Sequence, residues 1–146
     1  MARIRVSTTI DASPRRVWAS VGDIGSHVRW MADARSIRFT GERRRGVGTR
    51  FECDTRVGPL RTTDVMEITS WKPRRRMGVR HQGMVRGSGE FTLRRLRGAR
   101  TRFTWSERLE FPWWLGGPVG AALGRSVLRL VWKRNLRNLK AIVEGG

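Results

Sequence analysis

The stretch RIRVSTTIDASPRRVW, residues 3–18, changes its period halfway along, and that change decides the fold. Ile4, Val6, Thr8 and Ile10 fall on one face and Arg3, Arg5, Ser7 and Thr9 on the other, the alternation of a half-buried strand. Asp11 and Ala12 then lead to Ser13, whose hydroxyl can cap a helix, and to Pro14, whose fixed φ suits a first helical turn. Val17, Trp18 and Val21 follow at helical spacing, and Gly22 marks the end. Residues 25–31 predict a second short helical turn, with Val28 and Met31 three apart and Trp30 beside them.

From Ala34 to Phe111 the period stays at two, broken by turn residues, and predicts six more strands. These run over residues 35–40, 48–57, 60–71, 75–84, 87–96 and 101–111. Several faces are explicit. Phe51, Cys53, Thr55 and Val57 alternate with Glu52, Asp54 and Arg56; Met77, Val79 and His81 share one face; Phe103, Trp105, Glu107, Leu109 and Phe111 share another. Gly58-Pro59, Lys72-Pro73 and Gly98 supply turns, and Gly41 to Gly46 forms a charged loop. After Pro112 the period becomes helical, and one long helix is predicted from Val119 onward. Its apolar positions are Val119, Leu123, Val127, Leu130 and Val131, together with Leu128, Trp132, Leu136, Leu139 and Val143. Spacings of three and four suit a helix lying on a sheet. The pattern is therefore α+β: a curved antiparallel sheet of about seven strands around a long C-terminal helix, in one domain spanning residues 1–146.

The 146 residues carry 31 Lys and Arg against 12 Asp and Glu, a net charge of +19, and 28 of the cations are Arg. Such a field attracts polyanions. The cations are dispersed along the chain, with no basic tail, so nucleic acid is a poor candidate partner, while an anionic membrane surface remains a candidate. The runs Arg43–Arg45 and Arg74–Arg76 are the densest. The residues 125, 129, 133, 134, 137 and 140 of the long helix read as a solvated cationic face.

Cys53 is the sole cysteine, so it forms no intrachain disulfide, and its plain reading is a small buried hydrophobe. His27 and His81 are isolated from one another, and no Cys/His spacing suits zinc; neither a metal nor a cofactor is expected. The N-terminal segment lacks the apolar run of a signal peptide, from which a cytoplasmic address is expected. The most apolar stretch, residues 111–132, is interrupted by Pro112, Pro118, four glycines, Arg125 and Arg129, against a spanning helix.

The order of elements resembles the START-like superfamily, also called SRPBCC, including its polyketide cyclase/dehydrase-like members. Residues 6–18 look like its opening strand and helix, Trp30 after Asp23 like its second-helix tryptophan, residues 71–77 like its strand-turn-strand segment, and residues 138–144 like its closing helix. The resemblance implies a helix-grip fold with a cavity between the concave sheet and the long helix. It also implies a function drawn from lipid transfer, small-molecule binding, aromatase/cyclase activity or an oxygenase subunit. The iron site of the last type does not suit two isolated histidines.

Given such a cavity, the candidate ligand-binding residues are Trp30, Phe51, Met77, Val79, His81, Phe91, Phe103, Trp105 and Glu107, with Leu123 and Val127 from the helix. No residue is assigned as catalytic. His81 and Glu107, if inward, are ionisable groups in an apolar pocket and so candidate acid or base; the plainer alternative pairs Glu107 with an Arg and gives His81 a structural hydrogen bond. Trp113 and Trp114, before Gly116-Gly117-Pro118, would gate the cavity, touch a membrane interface or pack at the helix start. The leading expectation is binding or transfer of a small hydrophobic molecule such as a lipid, polyketide or isoprenoid. A cyclase/dehydratase and a polyanion- or membrane-binding protein are the alternatives. No oligomeric state is implied.

Overall fold

A computed structural model describes residues 2–145. Strand β1 (Ala2–Ile10) is followed by helix α1 (Pro14–Val21) and a 3-10 turn (Ile24–Arg29). Six strands come next: β2 (Ala34–Phe39), β3 (Arg50–Val57), β4 (Leu60–Lys72), β5 (Arg76–Gln82), β6 (Arg86–Leu96) and β7 (Arg100–Glu110). A second 3-10 turn (Trp113–Leu115) leads into helix α2 (Gly117–Gly145). The strands form one curved, unclosed antiparallel sheet in the order β1-β7-β6-β5-β4-β3-β2, a meander of β2 to β7 with the first strand added beside β7. This is the helix-grip architecture that the resemblance implies.

Local chemistry explains the starts and stops. Ser13 accepts a hydrogen bond from the Arg16 backbone N–H at 3.3 Å, and Pro14 occupies the first turn of α1. The second predicted helical turn is a 3-10 turn that ends at Trp30. Gly116 and Gly117 both take positive φ, 101° and 57°, a reversal that side-chain-bearing residues rarely adopt and that turns the Trp113–Leu115 segment sharply into α2.

The core is solid at one end only. Val17, Val21, Ile24, Trp30 and Phe103 are buried there beneath the C-terminal half of α2, which contributes Trp132, Leu136, Leu139 and Val143. Trp30 meets Phe91, Phe103 and Trp105 at ring-centroid distances of 5.7, 6.4 and 6.0 Å, and Trp105 stacks on Trp132 at 4.4 Å. Such aromatic pairs add about 0.5–1.5 kcal/mol each beyond area burial.

The N-terminal half of α2 behaves differently. No residue from Gly117 to Val131 is fully buried. Of the stripe Val119, Leu123, Val127 and Leu130, read from the sequence as lying on the sheet, Val119, Leu123 and Leu130 point to solvent and only Val127, half-exposed, reaches the edge of the space beneath the helix. At this level Gly124 faces inward, where an added Cβ would meet the Phe111 ring at 3.6 Å, and Leu128 borders the cavity, while Gly120 lies tight against the Leu115 backbone of the preceding turn. The helix thus grips the sheet with one half and overhangs an open end with the other.

Candidate functional site

Under that overhang lies a cavity of about 230 Å³ between the concave face of the sheet and α2. Period-two alternation aims its lining inward: Phe51 and Cys53 from β3, Met66 and Ile68 from β4, Met77 and Val79 from β5, Phe91 from β6, Trp105 and Leu109 from β7. Leu115, Gly120, Gly124, Val127 and Leu128 border it from the helix side. Leu60, at the start of β4, and Val127 are both half-exposed lining residues. No Arg or Lys lines the cavity, so the excess arginines and lysines of the protein stay outside it.

One wall is polar. His81 Nε2 and Glu107 Oε1 meet at 2.6 Å, although His81 is on β5 and Glu107 on β7, with β6 between them. Two strand spacings amount to about 9.6 Å. The span is crossed because β6 carries glycine at both facing positions: Gly87 pairs with His81, and Gly89 pairs with Glu107. Burial alone would lower the His81 pKa, but the charge and hydrogen bond of Glu107, with the charge of Asp64, outweigh it and hold His81 above its ordinary value. The two side chains form a short hydrogen-bonded His–Glu pair inside an apolar pocket.

Asp64, on the inward face of β4, accepts from Thr55 Oγ1 at 2.9 Å. Asp33, just before β2, accepts from Asn135 Nδ2 at 2.7 Å, and Asn135 Oδ1 accepts from the Ala32 N–H at 2.9 Å. Burial pushes both carboxyls above the usual carboxylate range. Asn135 therefore ties α2 to the 32–33 segment at the cavity wall. Burial pushes the Cys53 thiol up to about 11, so it stays protonated and is no nucleophile. Burial brings His27 down to about 4, and its neutral ring donates from Nε2 to the Val21 carbonyl at 2.7 Å.

Of the sequence candidates, Phe51, Met77, Val79, His81, Phe91, Trp105, Glu107 and Val127 border the cavity. Trp30 and Phe103 do not: they lie behind Phe91 and Trp105 in the closed core, 1% and 0% exposed, where α2 sits directly on the sheet. Leu123 does not either; it is 64% exposed on the outer face of the helix. Glu107 pairs with His81 rather than with an arginine. Asp33, Asp64 and Trp132 join the wall without having been candidates from sequence, and Asn135 supports Asp33 from behind it. Asp64 shares its strand phase with Met66 and Ile68, and Asn135 sits three residues after Trp132 and four before Leu139, so both carried a signal; Asp33, in a turn, carried none.

Among the described residues, no group of three or more His, Cys, Asp or Glu side chains is placed to hold a metal. No helix there is long and apolar enough to cross a membrane.

A concave antiparallel sheet closed by one long helix over an apolar cavity defines a START-like ligand-binding fold. The chain belongs to the polyketide cyclase/dehydrase and lipid transport family, whose sequence model matches residues 1–144. Among solved structures, it is similar to a protein from Thermus thermophilus, with a TM-score of 0.85, 18% identity and coverage of 99% of this chain and 98% of that one. A START superfamily protein from Mycobacterium smegmatis gives a TM-score of 0.81 at 12% identity, covering 98% and 97%. An aromatase/cyclase from a Streptomyces species gives 0.71 at 20% identity, covering 99% and 92%. At these identities the likeness establishes the fold. Comparison with curated proteins finds no match.

Proposed function

We propose that the protein binds and carries a small hydrophobic molecule in this cavity. The observation that supports the reading most directly is an apolar pocket of about 230 Å³ that the core leaves unfilled, bordered on one wall by His81, Glu107, Asp64 and Asp33. That volume falls below the roughly 300–1,000 Å³ of pockets for drug-sized ligands, which favours a compact ligand over a two-chain lipid. Apolar side chains supply affinity through burial, and the polar wall orients a hydroxyl, carbonyl or amine of the ligand. Native mass spectrometry of the purified protein tests this. A retained small molecule, displaced when Val79→Trp fills the pocket, supports the reading; absence of any bound or bindable hydrophobic molecule counts against it.

Acid–base chemistry on a polyketide-like substrate is the second reading, and the His81–Glu107 pair favours it. An imidazolium held by a carboxylate can deliver a proton to a developing enolate or alcohol, and the neutral ring can take one back. Turnover abolished in Glu107→Gln with ligand affinity retained would distinguish it from carriage alone.

A further inference from the structure

The outer face of α2 is apolar where nothing packs against it. Val119, Leu123, Val127 and Leu130 follow at spacings of four, four and three, on the side opposite Trp132 and Leu139, and are 70%, 64%, 46% and 68% exposed. Trp113 and Trp114, 84% and 56% exposed, lie in the turn that immediately precedes this helix. Soluble proteins rarely leave so continuous a run of large apolar side chains in water without a partner for it. Arg134 and Arg137 continue the same helical face toward the C-terminus, again at spacings of four and three. No acidic residue lies between Glu110 and Glu144, and among the described residues Arg125, Lys133, Arg134 and Arg137 form no ion pair.

We propose that this face docks the protein on the surface of an anionic lipid bilayer. The two parts of the face ask for different things, and one kind of partner offers both. Tryptophan rings and an apolar helical stripe settle at the boundary between headgroups and acyl chains. The adjoining unpaired cations lie against anionic headgroups, where each raises partitioning about fivefold. A second copy of the chain would set the same acid-free cationic helix against itself, at +19 per chain. Nucleic acid would satisfy the arginines and leave the apolar stripe in water.

Docking has a consequence for the cavity, which rests on the ligand-binding reading. Leu115, Gly120, Gly124, Val127 and Leu128, which border the cavity, belong to the same segment. The docked protein would hold this cavity-bordering segment at the bilayer, which shortens the path of a hydrophobic ligand between membrane and pocket.

Vesicle partitioning of the full chain at physiological salt tests the docking. Wild type binds vesicles containing phosphatidylglycerol and binds phosphatidylcholine vesicles at least about tenfold more weakly, as the headgroup charge requires. Trp113→Ala with Trp114→Ala, both at solvent-exposed positions, weakens binding about tenfold or more. Arg134→Gln with Arg137→Gln weakens it about twentyfold, while the charge-matched pair Arg94→Gln with Arg95→Gln on the sheet changes it by less than about threefold. Three outcomes overturn the proposal. One is no binding to the anionic vesicles; another is undiminished binding of the tryptophan double variant, which would make the attraction one of charge alone. The third is a wild-type dimer that Leu123→Glu dissociates, which would assign the face to a second copy. Ligand retention measured in vesicle-free buffer reports separately on the cavity, so either idea can fail without the other.

Discussion

A β-carbon placed on Gly89 would lie 2.2 Å from Glu107 Cγ, so the glutamate occupies the space that any other residue at position 89 would claim. The polar wall of the cavity is therefore built by a side chain that is missing. Gly89→Ala displaces Glu107 and costs about 1–3 kcal/mol as overpacking. It also pulls Glu107 from His81, and with the carboxylate gone burial lowers the His81 pKa. NMR titration of the imidazole reads this directly; an unchanged His81 pKa would mean that Gly89 does not set the pair.

The ion pair has a pH signature with a definite sign. The His81 pKa is raised in the folded state above its ordinary value of 6.5, so the folded protein holds this proton more tightly than the unfolded chain. The stabilisation is fully present below pH 6.5 and is lost as pH rises through the folded value. The stability difference between wild type and Glu107→Gln is accordingly largest in mild acid and shrinks in alkali, measured by denaturant unfolding across pH. A difference that grows with pH would contradict the assignment.

His27 titrates in the opposite sense. Its pKa falls from 6.5 unfolded to about 4 folded, so stability is complete above 6.5 and is lost as pH drops toward 4. The loss amounts to about 3 kcal/mol at 1.36 kcal/mol per pKa unit. In His27→Gln, which keeps a donor for the Val21 carbonyl, that part of the acid sensitivity disappears. Denaturant midpoints at neutral and mildly acid pH, compared between the two proteins, give the answer.

Asn135 is fully buried and holds both the Ala32 N–H and the Asp33 carboxyl. Asn135→Ala leaves two groups without their partners at the cavity wall and destabilises the protein by about 2–4 kcal/mol. Asn135→Asp keeps the acceptor for Ala32 but faces Asp33 with a second carboxyl, and is expected to recover stability only as pH falls. Thermal unfolding of both variants across pH separates the hydrogen-bond loss from the charge effect.

Much of this was legible in the sequence, and the illegible parts share a cause. The alternation in residues 3–10 and 103–111 determines which side chains turn inward, because one face of each strand is wet and the other is not. His81 and Glu107 could each be read as inward-facing for that reason. Their contact could not, since it depends on the registers of β5, β6 and β7 together and on two glycines whose role lies in what they lack. In α2 the spacing of apolar residues is clear, but periodicity states that a stripe exists and not which stripe meets the sheet. The packing of Trp132, Leu136, Leu139 and Val143 into the core settles that, and this packing is tertiary information that periodicity does not carry. Trp30 and Phe103 read as pocket residues in the sequence because aromatic lining and aromatic core look alike until the position of the void is known.

Whether the cavity holds a hydrophobic guest is measured most directly by binding of an environment-sensitive apolar dye to the wild-type protein and to Val79→Trp. Saturable one-to-one binding by the wild type, weakened at least about tenfold when the added indole occupies the pocket, is the predicted result. Equal dye binding by both proteins, or none by either, would contradict it.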